Sequence, residues 1–257
     1  MASWTFEPET FAAHWYSDAN DRFPVPLKYL SRFGVEDEFS QFRSRVRADL
    51  RSGEREEIDL AVHTLATSRI RIEIVGCTTR HKSSTGADDS KEYRIVGVRD
   101  HHRAVLAFQG GRAGEYGDIR LRLFGPDGLA GQLAGAIPRC EPGGRPPATF
   151  HPHDLEPGED GYFEDSHRDS ERERYERLLG RSGDGYGIAR LYIGRPRSSA
   201  EHSGVLRWFD VTGDGRYAET RGQHVTVRPG SRDELAARFA RWVDRAGLRL
   251  AEQQSQW

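Results

Sequence analysis

The string His151-Pro-His153-Asp154 has the clearest capacity for chemistry in this sequence. Imidazole nitrogens and a carboxylate at close spacing are ligands that zinc and iron accept. The related string TFEPETF near the N-terminus carries Glu7 and Glu9 at the two histidine positions, and its proline suits the first turn of a helix. A polar first helical turn therefore explains the histidines, and we favour a helix start over a metal site.

A dense run of carboxylates follows, and paired carboxylates can act as general acid and base or bind calcium. The run lacks the residue order of a calcium-binding loop, so it predicts a solvated acidic segment. Its members are Asp154, Glu156, Glu159, Asp160, Glu164 and Asp165.

The remaining chemical candidates have simpler explanations. The glycine clusters GRSGDGYG and QGGRAGEYG have no lysine placed to meet a phosphate, so both predict loops. Cys77 and Cys140 are too few for a disulfide framework and predict thiols in a reducing compartment. The sequence therefore predicts no catalytic residues, no metal site and no cofactor, and we do not expect an enzyme.

Composition narrows the classes of partner. The 257-residue chain has a formal net charge of -2 and a pI near 6.6, which gives no global basic field for nucleic acid or anionic lipid. No stretch approaches the roughly 18–20 apolar residues that span a bilayer, and Glu7 and Glu9 stand where a signal peptide would be basic. We therefore expect a cytoplasmic protein that binds no nucleic acid and does not insert into membranes.

The first half of the chain changes from a helical to a strand period. Apolar residues recur every three or four positions after Pro8, in EDEFSQFRSRVRADLR and in EEIDLAVHTLATS, which predicts three helices. RIRIEIVG, EYRIVGVRD, RAVLAFQ and DIRLRLF predict strands, the middle two forming a hairpin that turns at Asp100–His102. GPDGLAGQLAGAI then predicts a helix that starts at Pro126.

The second half repeats this order. Residues 139–148 are rich in Pro and Gly and predict a linker between an N-terminal half, 1–138, and a C-terminal half, 149–257. TFHPHDL and DSERERYERLLG predict helices, GIARLYIG, GVLRWFDV, RYAET and HVTVRPG predict strands, and TGDGR predicts a hairpin turn. SRDELAARFARWV predicts a last helix capped by Ser231 and Glu234. We expect the two halves to form one compact domain.

The two halves can be aligned at both ends. T-F-x-P opens each half, and placing Ile119 on Val225 superimposes the closing strand and helix without a gap. These matches favour a duplication. The identical pairs are Arg122/Arg228, Asp127/Asp233, Leu129/Leu235, Ala130/Ala236 and Ala134/Ala240.

Two polar features suit binding. Residues 78–93, TTRHKSSTGADDSKEY, join two strands that a tight turn could join, and loops of this length are functional or disordered. Both signs of charge suit a loop that clasps a partner, although an idle insertion explains it equally well. The second feature is a set of strand arginines, Arg69, Arg71, Arg120 and Arg122, expected on one sheet face, where acidic residues offset their charge.

The order of these elements and the residue patterns within them resemble the EspG family, the cytoplasmic specificity chaperones of actinobacterial type VII (ESX) secretion. The resemblance covers essentially the whole chain and is strongest in WFDVTGDGRYAE and VTVRPGSRDELAARFARWV. It implies an α+β fold in which helical bundles flank a central, largely antiparallel β-sheet with quasi-two-fold halves. The polar segment 156–170 departs from the family, in which we expect bundle helices there.

The resemblance also implies a partner and a surface. Family members bind the tips of helical-hairpin secretion substrates, typically PE–PPE heterodimers, and a small Trp-x-Gly hairpin protein is the alternative partner. The implied surface joins the loop between the second and third strands, here 78–93, to the C-terminal helical bundle. Its candidate polar contacts are Arg80, His81, Lys82, Asp88 and Asp89 on the loop, and Arg238 and Arg241 on the last helix.

The apolar stripe of that last helix has a different expected role. Leu235, Phe239, Trp242 and Val243 are expected in the core because the repeat shares the stripe. The oligomeric state, monomer or homodimer, stays open. So do two other classes of function: a different protein-binding scaffold, and a small-molecule enzyme or anionic-ligand binder that uses the arginine-rich sheet face.

Overall fold

The computed structural model describes residues 1–86, 88–156, 170–194 and 202–255. The helices are α1 (Pro8–Trp15), α2 (Glu36–Ala48), α3 (Ser52–Thr67), α4 (Leu129–Ala136), α5 (Glu171–Leu179) and α6 (Arg232–Ser255). The strands are β1 (Ala2–Phe6), β2 (Ile70–Thr78), β3 (Lys91–Arg99), β4 (Ala104–Arg112), β5 (Glu115–Phe124), β6 (Ala148–Phe150), β7 (Gly183–Ile193), β8 (Gly204–Val211), β9 (Gly215–Arg221) and β10 (Val225–Pro229).

All ten strands form one antiparallel sheet, in the order β1-β5-β4-β3-β2-β7-β8-β9-β10-β6. Together with the helices packed on it, this sheet confirms the α+β class. Strands β2 and β7 pair along their whole shared length, from Ile70 opposite Ile193 to Thr78 opposite Gly185. This central pairing joins the strands of the first half to those of the second half.

One face of the sheet is covered by α4 and α6, which pack against each other and against strands of both halves. The three isoleucines of β2 point to this face because alternate residues of a strand share a side. Leu133 and Phe239, both fully buried, bring the apolar stripes of the two helices onto it. The alternation in RIRIEIVG and the helical stripes therefore build one core that spans both halves.

The opposite face carries two separate clusters. Over the first half, α1 and α3 pack on β3, β4 and β5, with Phe11, Ile58 and Ile119 fully buried. Over the second half, α5 packs on β6, β8, β9 and β10 through Tyr175 and its contact with Phe150.

The strands follow an equivalent order when the sheet is traced inward from either edge. Strand β1 pairs with β5 so that Phe6 lies opposite Ile119, and β6 pairs with β10 so that Phe150 lies opposite Val225. The two T-F strings therefore occupy equivalent places beside the two aligned closing strands. This agrees with a duplication, which itself stays a prediction.

Local signals placed several element ends correctly. Pro8 begins α1, and the Asp100 carboxylate accepts hydrogen bonds from the amides of His102 and Arg103 in the predicted hairpin turn. Ser231 and Glu234 form the predicted capping box at the start of α6.

Two predictions, one from glycines and one from arginines, were incomplete or wrong. GRSGDGYG is not only a loop, because β7 begins at Gly183 and continues through the cluster. The isoleucines of β2 pack with α4 and α6, whereas Ile119 of β5 packs with α1 and α3. Arg71 therefore lies on the sheet face opposite Arg120 and Arg122, and the four arginines do not share one face.

Residues 139–148 follow a fixed path along the start of β9. Pro142 forms a bridge with Arg216, the amide of Gly143 donates to the Arg216 carbonyl oxygen, and the amide of Gly144 donates to the Asp214 carboxylate. The segment is therefore held by backbone contacts. The predicted acidic run beyond Glu156 lies outside the described residues.

Candidate protein-binding surface

The β2–β3 loop begins with anchoring contacts to β7. The backbone amide of Thr79 donates to the carbonyl oxygen of Asp184 at 2.7 Å, and its hydroxyl donates to the same oxygen at 3.1 Å. The guanidinium of Arg80 then lies 3.8 Å from the Asp184 carboxylate and 3.7 Å from the Cys140 sulfur. These contacts fix the direction in which the loop leaves the sheet.

His81 and Asp89 hold the two sides of the loop together. Nε2 of His81 lies 2.8 Å from the Asp89 carbonyl oxygen, and the Asp89 carboxylate accepts from Arg112 at 2.7 Å and from the Thr85 amide at 3.0 Å. The hydrogen bond from Arg112 is the main cause that lowers the pKa of Asp89 to about 2. These two side chains organise the loop from within.

The other candidate residues of the loop point outward. Lys82 and Asp88 are exposed, and the side chain of Arg80 is 52% exposed despite its contacts. The loop therefore presents charges of both signs on a backbone tied to β4 and β7. These outward residues could not be distinguished from the inward His81 and Asp89 by sequence alone.

The predicted core residues of α6 are buried, and its predicted surface residues are exposed or half-buried. Leu235, Phe239, Trp242 and Val243 are buried, as expected from the shared stripe. Arg241 is exposed and Arg238 is half-buried. Burial, together with the neighbouring charges of Arg241, Arg228 and Arg245, lowers the pKa of the Arg238 guanidinium.

Two further arginines near Arg238, Arg228 and Arg245, were not predicted from the sequence as surface candidates. Arg228 comes from β10, whereas Arg238, Arg241 and Arg245 lie three and four residues apart along one flank of α6. None of the four forms an ion pair with any described residue, and Nε of Arg238 is buried without a partner. We call these four residues the arginine flank. The helical spacing could have shown three members, but only the packing of α6 beside β10 adds Arg228.

The loop and the start of α6 lie at the same end of the sheet. Pro229 of β10 pairs with Tyr217 of β9, which pairs in turn with Phe209 of β8. Phe209 pairs with Tyr186 of β7, and Tyr186 pairs with Cys77, one residue before β2 ends. The last turns of α6 lie at the other end, where Gln253 accepts a hydrogen bond from Arg69. No hydrogen bond within the described ranges joins the loop to the arginine flank, so they form two separate polar areas.

The metal-like histidines occupy a short 3-10 turn, Pro152–Leu155, where Nδ1 of His151 accepts from the His153 amide. Within the described part of the chain, no three His, Cys, Asp or Glu side chains come together in a way that could hold a metal ion. Burial raises the pKa of the Cys140 thiol, and both cysteines are free. No described helix has the length and apolar character that crossing a bilayer requires.

Comparison with known protein families decides how this surface is interpreted. The EspG family model matches residues 8–241, from the first residue of α1 to the arginine flank of α6. The chain belongs to the EspG family. This places it among ESX secretion-associated chaperones. A search of curated proteins gave no significant match.

The family match includes the β2–β3 loop and the first ten residues of α6. It therefore covers Arg228, Arg238 and Arg241 of the arginine flank but not Arg245. The match begins after β1 and ends before the last turns of α6. An EspG chaperone acts by binding other proteins, so exposed charge and shape are the relevant features of this surface.

Proposed function

We propose that this EspG protein is a specificity chaperone that binds and solubilises helical-hairpin substrates of an ESX secretion system in the cytoplasm. The observation that carries the proposal is the family match over residues 8–241. The substrate would be a PE–PPE-like heterodimer or a small Trp-x-Gly hairpin protein. The activity requires no cofactor, because covering an apolar tip depends on buried area and complementary shape.

The organisation of the β2–β3 loop supports a binding role. His81, Asp89 and Arg112 tie the loop to itself and to β4, so part of the ordering cost is met before a partner arrives. Arg80, Lys82 and Asp88 remain available at its surface. We propose that these three make the rim contacts and that His81 and Asp89 position them.

The arginine flank supports a second contact area. Arg238 and Arg241 lie near other guanidinium groups and form no ion pair with a described residue, so an acidic group on a partner would relieve their repulsion. Rim charges of this kind mainly affect association rate and specificity. We therefore propose that the substrate places carboxylates against α6 and its apolar tip nearer the loop.

Co-expression with a candidate helical-hairpin pair, followed by size-exclusion chromatography with light scattering, tests the proposal. A stoichiometric complex is expected, and the same measurement on the free protein distinguishes a monomer from a homodimer. Absence of a complex with every ESX hairpin pair of the host would contradict the chaperone function.

Matched variants then test the surface. Replacing Arg238 and Arg241 by Gln should slow association and reduce its salt dependence. The control replaces Arg172 and Arg174 of α5, which form exposed ion pairs on the other sheet face. A second variant, Lys82→Ser with Asp88→Ser, tests the loop. If neither surface variant changes the formation of the complex, the chaperone function stands and the proposed surface is wrong.

A further inference from the structure

A cavity of about 630 Å³ opens between the segment that connects α1 to α2 and the first turns of α2. This volume is within the range of small-ligand sites, roughly 300–1,000 Å³. Its walls come from two stretches, residues 16–21 and 29–43. The cavity belongs to the helical layer on the sheet face opposite α6, away from the arginine flank.

The cavity is lined by an excess of negative charge. Asp18, Asp21, Glu36 and Asp37 contribute carboxylates, and Arg43 contributes the one guanidinium among the lining residues. Arg43 is already engaged by the Tyr16 carbonyl oxygen, to which it donates at 3.4 Å. The negative lining therefore favours a cationic group.

Aromatic rings supply the other part of the wall, through Tyr16, Tyr29, Phe33 and Phe39. Ring centroids of Tyr16 and Tyr29 are 6.4 Å apart, and those of Phe33 and Phe39 are 5.6 Å apart. The guanidinium of Arg32 already lies 5.4 Å from the Phe33 centroid outside the cavity. The faces of aromatic rings attract cations, and the contact of Arg32 with Phe33 is an example of this attraction beside the cavity.

Some side chains around the cavity have an unpartnered polar atom or exposed apolar surface. The hydroxyl oxygen of Tyr29 is buried without a hydrogen-bond partner, and α2 has no buried residue despite its aromatic stripe. Leu30 and Val35 beside the cavity are 76% and 59% exposed. A ligand that combines a cationic head with adjacent apolar groups would contact the carboxylates, the rings and these two side chains together.

We propose that this cavity binds an arginine or lysine side chain presented by a basic, partly apolar peptide segment of a partner protein. The bound cation lies between Asp18 and Asp37 and against the aromatic wall, and apolar neighbours in the peptide cover Leu30 and Val35. The site lies on the opposite side of the sheet from the arginine flank, and it does not depend on the proposed ESX substrate.

Titration of the ¹⁵N-labelled protein with the peptide acetyl-Leu-Arg-Leu-amide tests the site, with acetyl-Leu-citrulline-Leu-amide as the uncharged matched probe. Citrulline keeps the shape of arginine and removes its charge. Chemical-shift changes should map to residues 16–43, the citrulline peptide should bind at least about tenfold more weakly, and salt should weaken the arginine peptide. Butylguanidine alone should bind more weakly than the peptide because it cannot cover the apolar rim.

Two variants make the assignment specific. Asp18→Asn with Asp37→Asn should reduce affinity for the arginine peptide about tenfold or more, with an otherwise unchanged spectrum. Glu57→Gln, at an exposed position of α3, is the control and should leave the affinity unchanged. Equal binding of the arginine and citrulline peptides, shifts outside residues 16–43, or no binding of the arginine peptide overturns the proposal. Butylguanidine binding as tightly as the peptide overturns the peptide as the occupant and indicates a small organic cation.

Discussion

Gly76 and Gly187 face each other across the central pairing of β2 and β7, and neither has room for a larger side chain. The ring of Tyr93 fills the space over Gly76, and its hydroxyl donates to the Tyr186 carbonyl oxygen at 3.1 Å. The indole of Trp208 fills the space over Gly187. Two glycines thus allow two large rings to approach closely the strands that join the halves of the sheet.

Gly187→Ala should lower the free energy of unfolding by about 1–3 kcal/mol, because the new methyl group would overlap Trp208 and Tyr93. Gly131→Ala on α4 is the matched control, since nothing lies within 4 Å of its added carbon. The control should raise stability by up to about 1 kcal/mol through helix propensity. Urea unfolding measures both, and a neutral Gly187→Ala would contradict the packing described for this junction.

Asp210→Ala should destabilise the protein by about 3–5 kcal/mol. The Asp210 carboxylate accepts hydrogen bonds of 2.7 and 2.8 Å from Arg216, whose side chain is only 3% exposed, so the variant leaves a buried charge without its partner. Arg172→Ala, which breaks an exposed pair on α5, should change stability by less than about 1 kcal/mol. Denaturant unfolding of both variants checks the contrast; equal effects would contradict it.

His14 should make stability depend on pH. Burial is the main cause that lowers its pKa from 6.5, followed by the charge of Arg47, and neither ring nitrogen has a hydrogen-bond partner. The unfolded chain therefore binds more protons than the folded protein below about pH 6.5, so the free energy of unfolding should fall as the pH decreases through that value. His14→Gln should flatten this dependence between pH 7.5 and 5.5. An unchanged pH dependence in His14→Gln would contradict the role of His14.

Phe239→Ala and Phe42→Ala should differ in cost although both residues lie on apolar helical stripes. Phe239 is fully buried between α6 and the sheet, so its truncation should cost about 3–5 kcal/mol. Phe42 lies on α2, which has no buried residue, and its truncation should cost about 1 kcal/mol. Chemical unfolding distinguishes them, and a large effect at Phe42 would show that α2 is more closely packed than described.

Asp89→Asn should loosen the β2–β3 loop while the rest of the sheet stays protected. The carboxylate that accepts from Arg112 and from the Thr85 amide becomes neutral, so hydrogen exchange of that amide should become several-fold faster. Because Arg112 holds the pKa of Asp89 near 2, the wild-type contact should persist at all pH values above about 4. Asp88→Asn is the control, because Asp88 is exposed, and unchanged exchange in Asp89→Asn would contradict the role of Asp89.

Periodicity was enough to predict most helices and strands, because each pattern is written in consecutive residues. The isoleucines of β2 and the stripe of Leu235, Phe239 and Val243 have the burial that their spacing implies. Strands β1 and β6 were not predicted, because they are short and are defined by pairing with β5 and β10, which are distant in sequence.

Relations between elements were harder to predict. Alternation showed that Arg71 shares a side of β2 with Glu73, but it could not show that Arg120 of β5 lies on the other face. The loop charges could be recognised from composition, whereas the inward role of His81 and Asp89 depends on hydrogen bonds to β4 and across the loop. The arginine flank likewise needs α6 beside β10.

The described sheet has two outer strands, β1 and β6, and both are short. Strand β6 has three residues, preceded by Pro146 and Pro147 and followed closely by Pro152, which have no amide hydrogen to offer an incoming strand. A long sheet that ended in open, hydrogen-bonding edges would invite added strands and growth into fibres. This molecule is therefore poorly suited to seed such polymers.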